Sequence, residues 1–548
     1  MPVGPRYLDP RELRATRRLG WTDAWSDRDE ADPTGAGVEL LLHVRIGGLD
    51  LRAGTREVVM QTSTGQTVAY APNLLEDFEL SEVYEPGSGS APGRSVTIQL
   101  PNAVVSAASL IASGSLLAGE GEVAMGFDRM PYEERHVLLD GDLVGGVSFG
   151  DAGEPVEFEL ADPTETAGYL VTPYVVDANL WPAAATQAVG QRYPLVYNRW
   201  DRVPTLLVAS QKCLVCVSQA GITAGNVSVY VDGDLKATGD AQYGHAVNTG
   251  IDGEGTTYIA IDFSGTETID DEDVAATVVG GSTALQYLHD LCEYLAIAYT
   301  SLGRRRVHYG LLGDVRARLG SIPVKLLVNG SGEATSADAF SLLADRVANS
   351  FPMLCFGYVD GRYGPIVTDG RAPHRADLVE GRQLLRRASA VQESDKRDLF
   401  NDFTVRHSYD SVEDDYAGVA TRNPDTSVLC SRSQKIVGDR FAGPIDADLI
   451  YRQQDAEAVV DWLAWHRSMP SYLVEYDVPV LVALRLRLGW NVRLFVPSLG
   501  FSGIVSTIVS RTFRRGACTL GFRVWWANIA GVGSGGGAST ATSGGGGQ

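Results

Sequence analysis

At 548 residues the chain exceeds what one hydrophobic core can organise, so roughly three to five domains are expected. Its 44% hydrophobic and 21% charged residues are ordinary for a globular protein. The 68 acidic side chains outnumber the 46 basic ones, and a formal charge of −22 repels phosphate, which excludes sequence-independent nucleic-acid binding.

No early stretch joins a basic region to an apolar core and a small-residue cleavage site, which predicts synthesis in a cytoplasm without export. The charge-free runs 95–119 and 213–231 are interrupted by polar residues and glycine, so no membrane insertion is expected.

Residues 1–37 carry the Arg-rich stretch Arg11-Glu-Leu-Arg-Ala-Thr-Arg-Arg18, then acidic sequence with Pro and Gly. They predict an arm with one short helix, whose Arg14, Arg17 and Arg18 form either a solvated face or a clasp on an acidic neighbouring subunit. From Val38 short β-type runs take over: Val38–Ile46, Glu57–Met60, Thr67–Tyr70 and Ser95–Leu100, punctuated by Gly, Asn and Pro. A helix or ordered loop over Val104–Leu117 interrupts them. Strands resume at Gly121–Phe127, His136–Val147 and Pro155–Leu160, with Asp140-Gly141 read as a tight turn.

A second β-rich block spans 166–280, where Val227–Gly233 and Thr257–Phe263 alternate with period two and Asp232-Gly233 predicts a hairpin turn. A helix is expected over Ser282–Ser301, capped by Ser282 or Thr283, with Leu285, Leu288, Cys292, Leu295 and Tyr299 on one face. Another begins near Thr335 or Ser336 and ends at Pro352, leading into a hairpin that turns at Asp360-Gly361. Beyond a strand at Asn401–His407, the stripe Ala456, Val459, Val460 and Leu463 marks a helix over Asp455–Arg467. Strands follow at Leu473–Leu486, Val492–Val496, Gly503–Val509 and Thr519–Trp526. From Gly533 the chain is Gly, Ser, Ala and Thr up to Gln548, too poor in apolar surface to fold alone.

The fold class is therefore mainly β with a few helices (α+β), and multidomain. The divisions are an arm at 1–37, a β domain at 38–165, a β-rich domain at 166–280, an α+β domain at 281–394, a second β domain at 395–527 and a tail at 528–548.

Segment 121–162, with Gly-Glu-Val-Ala-Met-Gly-Phe127, Leu139-Asp-Gly-Asp-Leu-Val-Gly-Gly-Val147 and Val156–Asp162, resembles the first tube-like domain of tail hub proteins of long-tailed bacteriophages. Segment 395–526 resembles their later tube-like domain, through Asn401, Ser431 and Arg432, the Ala-rich helix with Ala456, Ala458 and Ala464, and Val478-Pro-Val480 with Leu486-Arg-Leu-Gly489. Arg192-Tyr-Pro-Leu-Val-Tyr197 resembles a phrase of hub insertions. About half the chain is covered.

The resemblance implies a structural virion protein, the baseplate hub at the distal tail: a homotrimeric, pseudo-sixfold ring in which each subunit gives two tube-like domains that continue the tail tube, with 166–280 and 281–394 as peripheral domains. Implied partners are the distal tail protein, the tape measure protein and a central fibre or spike, with DNA passing through unbound. The long Arg-rich arm and the Gly-rich tail depart from simpler hubs. A receptor- or carbohydrate-binding tail adhesin is the alternative, and a tail-associated peptidoglycan hydrolase ranks last.

Catalytic motifs are thin, and no enzyme is expected. The eight histidines are scattered without a His-Glu-x-x-His pattern. Gly146-Val-Ser148-Phe-Gly150 matches a nucleophile elbow in letters only, because the turn-forming Asp151-Ala-Gly-Glu-Pro155 follows instead of a helix. The Gly-rich phrases 87–93 and 329–332 lack the Lys-Ser/Thr ending of a phosphate loop, and the acidic runs 270–273 and 413–415 lack EF-hand spacing.

Six dispersed cysteines suit reduced, buried thiols, and no cofactor is expected. Cys213 and Cys216, which strand alternation would place on opposite faces, are the one metal-like spacing. An iron-sulfur cluster completed by Cys292 is the alternative reading. Arg304, Arg305 and Arg306, expected after the long helix, either interact with its dipole or contact an acidic neighbouring subunit.

Overall fold

The computed structural model describes residues 37–46, 49–74, 79–85, 89–90, 94–101, 119–149, 154–163, 168–218, 221–269, 273–280, 285–320, 322–329, 338–411, 413–514 and 517–530. The chain is mainly β with a few helices, arranged in several units. The arm, the expected helix at 104–117, the caps Ser282 and Thr283, the expected helix start at 335–336 and the Gly-rich tail from Gly533 lie outside the described residues.

The first sheet has six antiparallel strands in the order Leu49–Gly54, Glu39–Ile46, Glu120–Gly126, His136–Phe149, Val156–Ala161, Ser95–Leu100. Its border strand Ser95–Leu100 alternates as its sequence does, burying Val96, Ile98 and Leu100 and turning Ser95 and Thr97 outward. Glu39–Ile46 is buried on both faces except at Arg45, with Glu39 accepting from the Thr55 hydroxyl and His43 paired with Asp50 among its apolar neighbours.

The Asp140-Gly141 turn does not form, because His136–Phe149 runs straight through it as one strand. Glycine is needed there for close approach, since a Cβ at Gly141 would collide with the Ala161 carbonyl of the neighbouring strand.

Two excursions leave this sheet. Leu80–Val83 adds antiparallel to the long strand Phe501–Arg514, and Gly89–Ser90 pairs in parallel with Leu354–Val359. The last sheet runs Ala376–Val379, Asn491–Val496, Phe501–Arg514, Ala517–Trp525, Ser471–Val478, Arg386–Arg387. Buried apolar residues of the first and last sheets form one contiguous core, from Val38 and Leu160 to Leu494 and Val524.

Between them in sequence lies a β-sandwich of two four-stranded sheets. Val203, Val229, Val231 and Val278 of one sheet pack against Cys213, Val215, Ile259 and Ile261 of the other. Its Asp232-Gly233 turn has both φ angles positive, +51° and +82°, the geometry of a two-residue hairpin turn.

Next come the helices Leu288–Ala298 and Tyr309–Leu319 and a helical stretch from Ala339 to Ser350 with a π turn at its centre. The first starts six residues later than the Ser282 expected. The stretch at Ala339 is capped by Asp338, whose Oδ1 accepts from the N–H groups of Phe340 and Ser341, each at 2.9 Å. The helix Tyr309–Leu319 is missed by periodicity because Gly310 and Gly313 dilute its pattern.

Asp402–Asp410, Asp415–Arg422 and Phe441–Ala447 then form a three-stranded sheet. Helix Gln453–Arg467 shares its buried core. Two corrections fall here. The polar stretch around Ser431 and Arg432 is a helix, Val428–Val437, capped by the Ser427 hydroxyl. The expected strand Leu473–Leu486 stops at Val478, because Pro479 opens a short helix, Val480–Leu484. Among the described residues no helix is long and apolar enough to cross a membrane.

Candidate functional site: a buried ionic junction

The added strand Leu80–Val83 and the middle hairpin converge on Arg511. Within Phe501–Arg514 the residues Val509, Arg511 and Phe513 share the buried phase, so alternation carries a guanidinium into the interior with no exposed surface. Its Nε donates to Glu82 Oε2 at 2.7 Å, Nη1 to the Leu486 carbonyl at 2.7 Å and Nη2 to Asp360 Oδ1 at 2.6 Å. Glu82, brought by the added strand Leu80–Val83, also accepts from Arg94 at 2.8 Å and from the Asp360 backbone N–H at 3.1 Å.

Asp360 stands at the tip of the hairpin Leu354–Val359/Arg362–Val367, in a turn with φ of +51° at Asp360 and +66° at Gly361. The Asp-Gly pair therefore serves two ends: it makes the turn, and it aims a carboxylate into the junction. The His136 Nε2 of the first sheet lies 3.0 Å away. His308 Nε2 is 3.7 Å from the other oxygen, and His308 Nδ1 accepts from the Leu311 N–H, capping that helix.

Burial by itself would raise the Asp360 carboxyl, but Arg511 and then His136 hold it well below the usual carboxylate range. For Arg511 burial opposes the charge, and Asp360 with Glu82 outweighs it, pushing the guanidinium upward. Burial lowers His308 despite the facing Asp360.

A cavity of about 390 Å³ opens beside the junction, bounded by Glu122, Arg135, His136, Asp140, Arg362 and Arg487. At its rim Arg306 forms a two-pronged pair with Asp140, at 2.7 and 3.0 Å. The charged groups at the centre are occupied with one another. The arrangement ties the first sheet, the hairpin tip and the last sheet mechanically, and it brings no nucleophile beside a base.

Of the residues singled out in the sequence, Arg306 is thus engaged within the chain, while Arg304 and Arg305 are exposed. Arg14, Arg17 and Arg18 lie outside the described residues. Cys213 and Cys216 are not on opposite faces. The register shifts between Leu214 and Cys216, and this bulge places Cys213, Val215 and Cys216 together in the sandwich core.

Cys292 belongs to the helical core instead, so the three thiols are not brought together. Burial pushes the Cys213 thiol up to about 11 and the Cys216 thiol up to about 12. Among the described residues no group of three His, Cys, Asp or Glu side chains is arranged to hold a metal ion. Ser148 lies within the strand His136–Phe149, paired with Glu157. Of the acidic runs, Glu413 meets Arg202 at 3.2 Å and Asp414 accepts from the Tyr409 hydroxyl at 2.7 Å; residues 270–272 lie outside the described residues.

Sequence reasoning missed Glu82, Arg94, Asp360 and Arg511 as a group. The one local signal was Arg511, a charge in phase with buried apolar neighbours.

No protein-family model matches the chain. No curated protein matches it either. Among solved structures it is similar to the 43 kDa tail protein of prophage MuSo2 from Shewanella oneidensis, at 9% identity over 89% of this chain and 98% of that one, with a TM-score of 0.37. It is also similar to a chain of the virion of a native gene transfer agent particle, at 14% identity over 61% of this chain and 84% of that one, TM-score 0.35. A third is prophage tail protein gp18 from Listeria monocytogenes, at 8% identity over 85% of this chain and 94% of that one, TM-score 0.34.

Proposed function

We propose that the chain is a structural subunit of a bacteriophage tail, a baseplate hub that closes the distal end of the tail tube in the virion and acts without catalysis. The observation that carries this reading is the shared core of the first and last sheets: strands within 39–161 pack as one body with Ala376–Val379 and the strands within 471–525, while the sandwich, and the helices with the three-stranded sheet at 402–447, bury separate cores. That is the layout wanted of a subunit that offers two β domains to one ring. The likeness of segments 121–162 and 395–526 to tube-like hub domains supports it, and so does a charge of −22, which lets DNA pass without adhering.

In this reading three copies form the ring. Border strands such as Ser95–Leu100, whose outer edge pairs with no other described strand, offer it to a neighbour, and the ring bridges the distal tail protein, the tape measure protein and a central fibre or spike. The ionic junction keeps the two β domains from shifting when the tube opens.

Mass photometry and cryo-EM class averages of the purified chain test the proposal. A threefold ring with a central channel is expected. A monomer that stays monomeric in the presence of tail partners overturns it.

A further inference from the structure

We infer that the cavity between the β-sandwich and the three-stranded sheet is a binding site for a neutral saccharide. The cavity has a volume of about 470 Å³, within the range of small-molecule sites, and it lies where two units meet, a common location for them. The sandwich wall is held against the sheet by the Trp200 indole N–H donating to Ser411 Oγ at 3.2 Å and by Arg202 donating to Glu413 at 3.2 Å.

Three aromatic rings run in series along it. The centroids of Trp200 and Tyr409 are 6.1 Å apart, and those of Tyr409 and Tyr416 are 5.1 Å apart. Trp200 is buried and backed by the Lys325 ammonium 4.5 Å from its ring, whereas Tyr409 and Tyr416 are partly exposed. With Trp200 closed behind them, Tyr409 and Tyr416, the latter with Arg406 over its ring at 4.9 Å, supply the apolar ring surface of the kind that the C–H side of a sugar ring covers, with a hydroxyl at its edge.

The polar lining is already oriented. Asp448 accepts from Arg346 and from the Tyr416 hydroxyl, both at 2.7 Å. Asp446 is gripped by both prongs of Arg406, at 2.6 and 2.7 Å, and Asp414 accepts from the Tyr409 hydroxyl at 2.7 Å. A carboxylate oxygen with one bond made keeps a lone pair for a second donor, so each acid can still receive a ligand hydroxyl in a fixed direction.

Charge decides the ligand class. Three aspartates face Arg346 and Arg406 in the lining, with Lys325 close behind, so the site is nearly balanced. A phosphate or sulfate would meet no net positive field, and a cation would have to displace guanidinium partners. A neutral molecule rich in hydroxyls, with one apolar face, matches both the rings and the acceptors. This inference is independent of the hub reading, since the cavity is formed within one chain.

The test is saturation-transfer NMR on the full chain with four separate probes: methyl glucoside, methyl galactoside, N-acetylglucosamine and rhamnose, each at about 1–10 mM, where weak sugar sites are populated. Transfer to at least one probe is expected, concentrated on the protons of one ring face. Asp414→Asn removes a charged acceptor at an exposed position and should weaken binding about tenfold or more, the loss of one hydrogen bond to a charged group. Tyr416→Ala should abolish it. If Tyr416→Ala unfolds, Asp414→Asn alone decides. Absence of transfer to all four probes overturns the inference, as does transfer that survives Asp414→Asn unchanged, or displacement of the sugar by phosphate at lower concentration.

Discussion

Arg511 and His466 are both basic side chains enclosed by the last sheet and its neighbours, yet they are held in opposite protonation states. Arg511 lies between Glu82 and Asp360 and is kept charged. His466 is boxed by Trp462, Trp465 and Trp525, with ring centroids 4.2 to 4.6 Å away. Its Nε2 accepts from the Gly370 N–H at 3.0 Å, which leaves the proton on Nδ1 to donate to the Trp462 carbonyl at 2.8 Å. Burial, only partly offset by Asp369, lowers its pKa to about 3. Burial therefore does not by itself set the charge of an interior base: it prevails at His466 and is outweighed at Arg511. The difference lies in the partners: two carboxylates in direct contact hold the Arg511 ion, whereas Asp369, 4.0 Å from His466, does not offset the burial of a ring walled by tryptophans.

The largest effect should come from removing the charge that answers the two acids. Arg511→Met takes from buried Glu82 and Asp360 the cation they share, leaving Glu82 to Arg94 and Asp360 to His136, and should cost about 3–5 kcal/mol in urea unfolding. A loss below about 1 kcal/mol would mean that the two carboxylates find other partners, and the junction would lose its structural role.

The second effect is a pH dependence. Below an ordinary histidine value of 6.5 the unfolded chain takes up a proton that folded His466 refuses until about 3. Stability should therefore fall with acidification through this window, by roughly 3 kcal/mol between pH 7 and pH 4 from this group. His466→Gln should remove that part of the slope in unfolding measured across pH. An unchanged slope would show that the ring is protonated in the fold.

Lys325 lies between the two extremes, and its effect should be smaller. Its ammonium donates to the Tyr409 carbonyl at 2.7 Å and rests on Trp200 without a carboxylate in contact, and burial lowers its pKa to about 8. The unfolded chain keeps its proton up to about 10.5, so a destabilising contribution present below pH 8 should be relieved as pH rises from 8 to 10.5. The difference between wild type and Lys325→Met should change by roughly 2 kcal/mol between pH 8 and pH 10, and a pH-independent difference would refute this account.

The smallest effect is an expected silence. All six cysteines are buried and unpaired, so a thiol reagent at pH 8 should label none of them until the chain unfolds. Labelling of Cys213 or Cys216 in the native state would mean that the sandwich opens locally.

Much of the local structure was legible. Period-two burial in Ser95–Leu100, the Asp232-Gly233 and Asp360-Gly361 turns and the stripe on Gln453–Arg467 all follow from side-chain patterning. Three readings failed for definable reasons. Asp140-Gly141 looked like a turn because glycine also serves close strand approach, and sequence cannot separate the two uses. The bulge at Val215 broke the alternation used to place Cys213 and Cys216. The helix Tyr309–Leu319 hid behind its two glycines, held by tertiary packing that outweighs their low propensity.

The candidate site was less legible. Glu82 and Arg511 are separated by 429 positions, and neither carries a local mark of the other. The sequence by itself determined many of the strand segments, two of the three Asp-Gly turns and that the interior is β-rich, because those depend on residues within a few positions of one another. Only the tertiary structure decided which charges are buried together, which aromatic rings line a cavity and which thiols share a core. Those depend on strand register and sheet order, where a single bulge or an added strand reassigns every side chain beyond it.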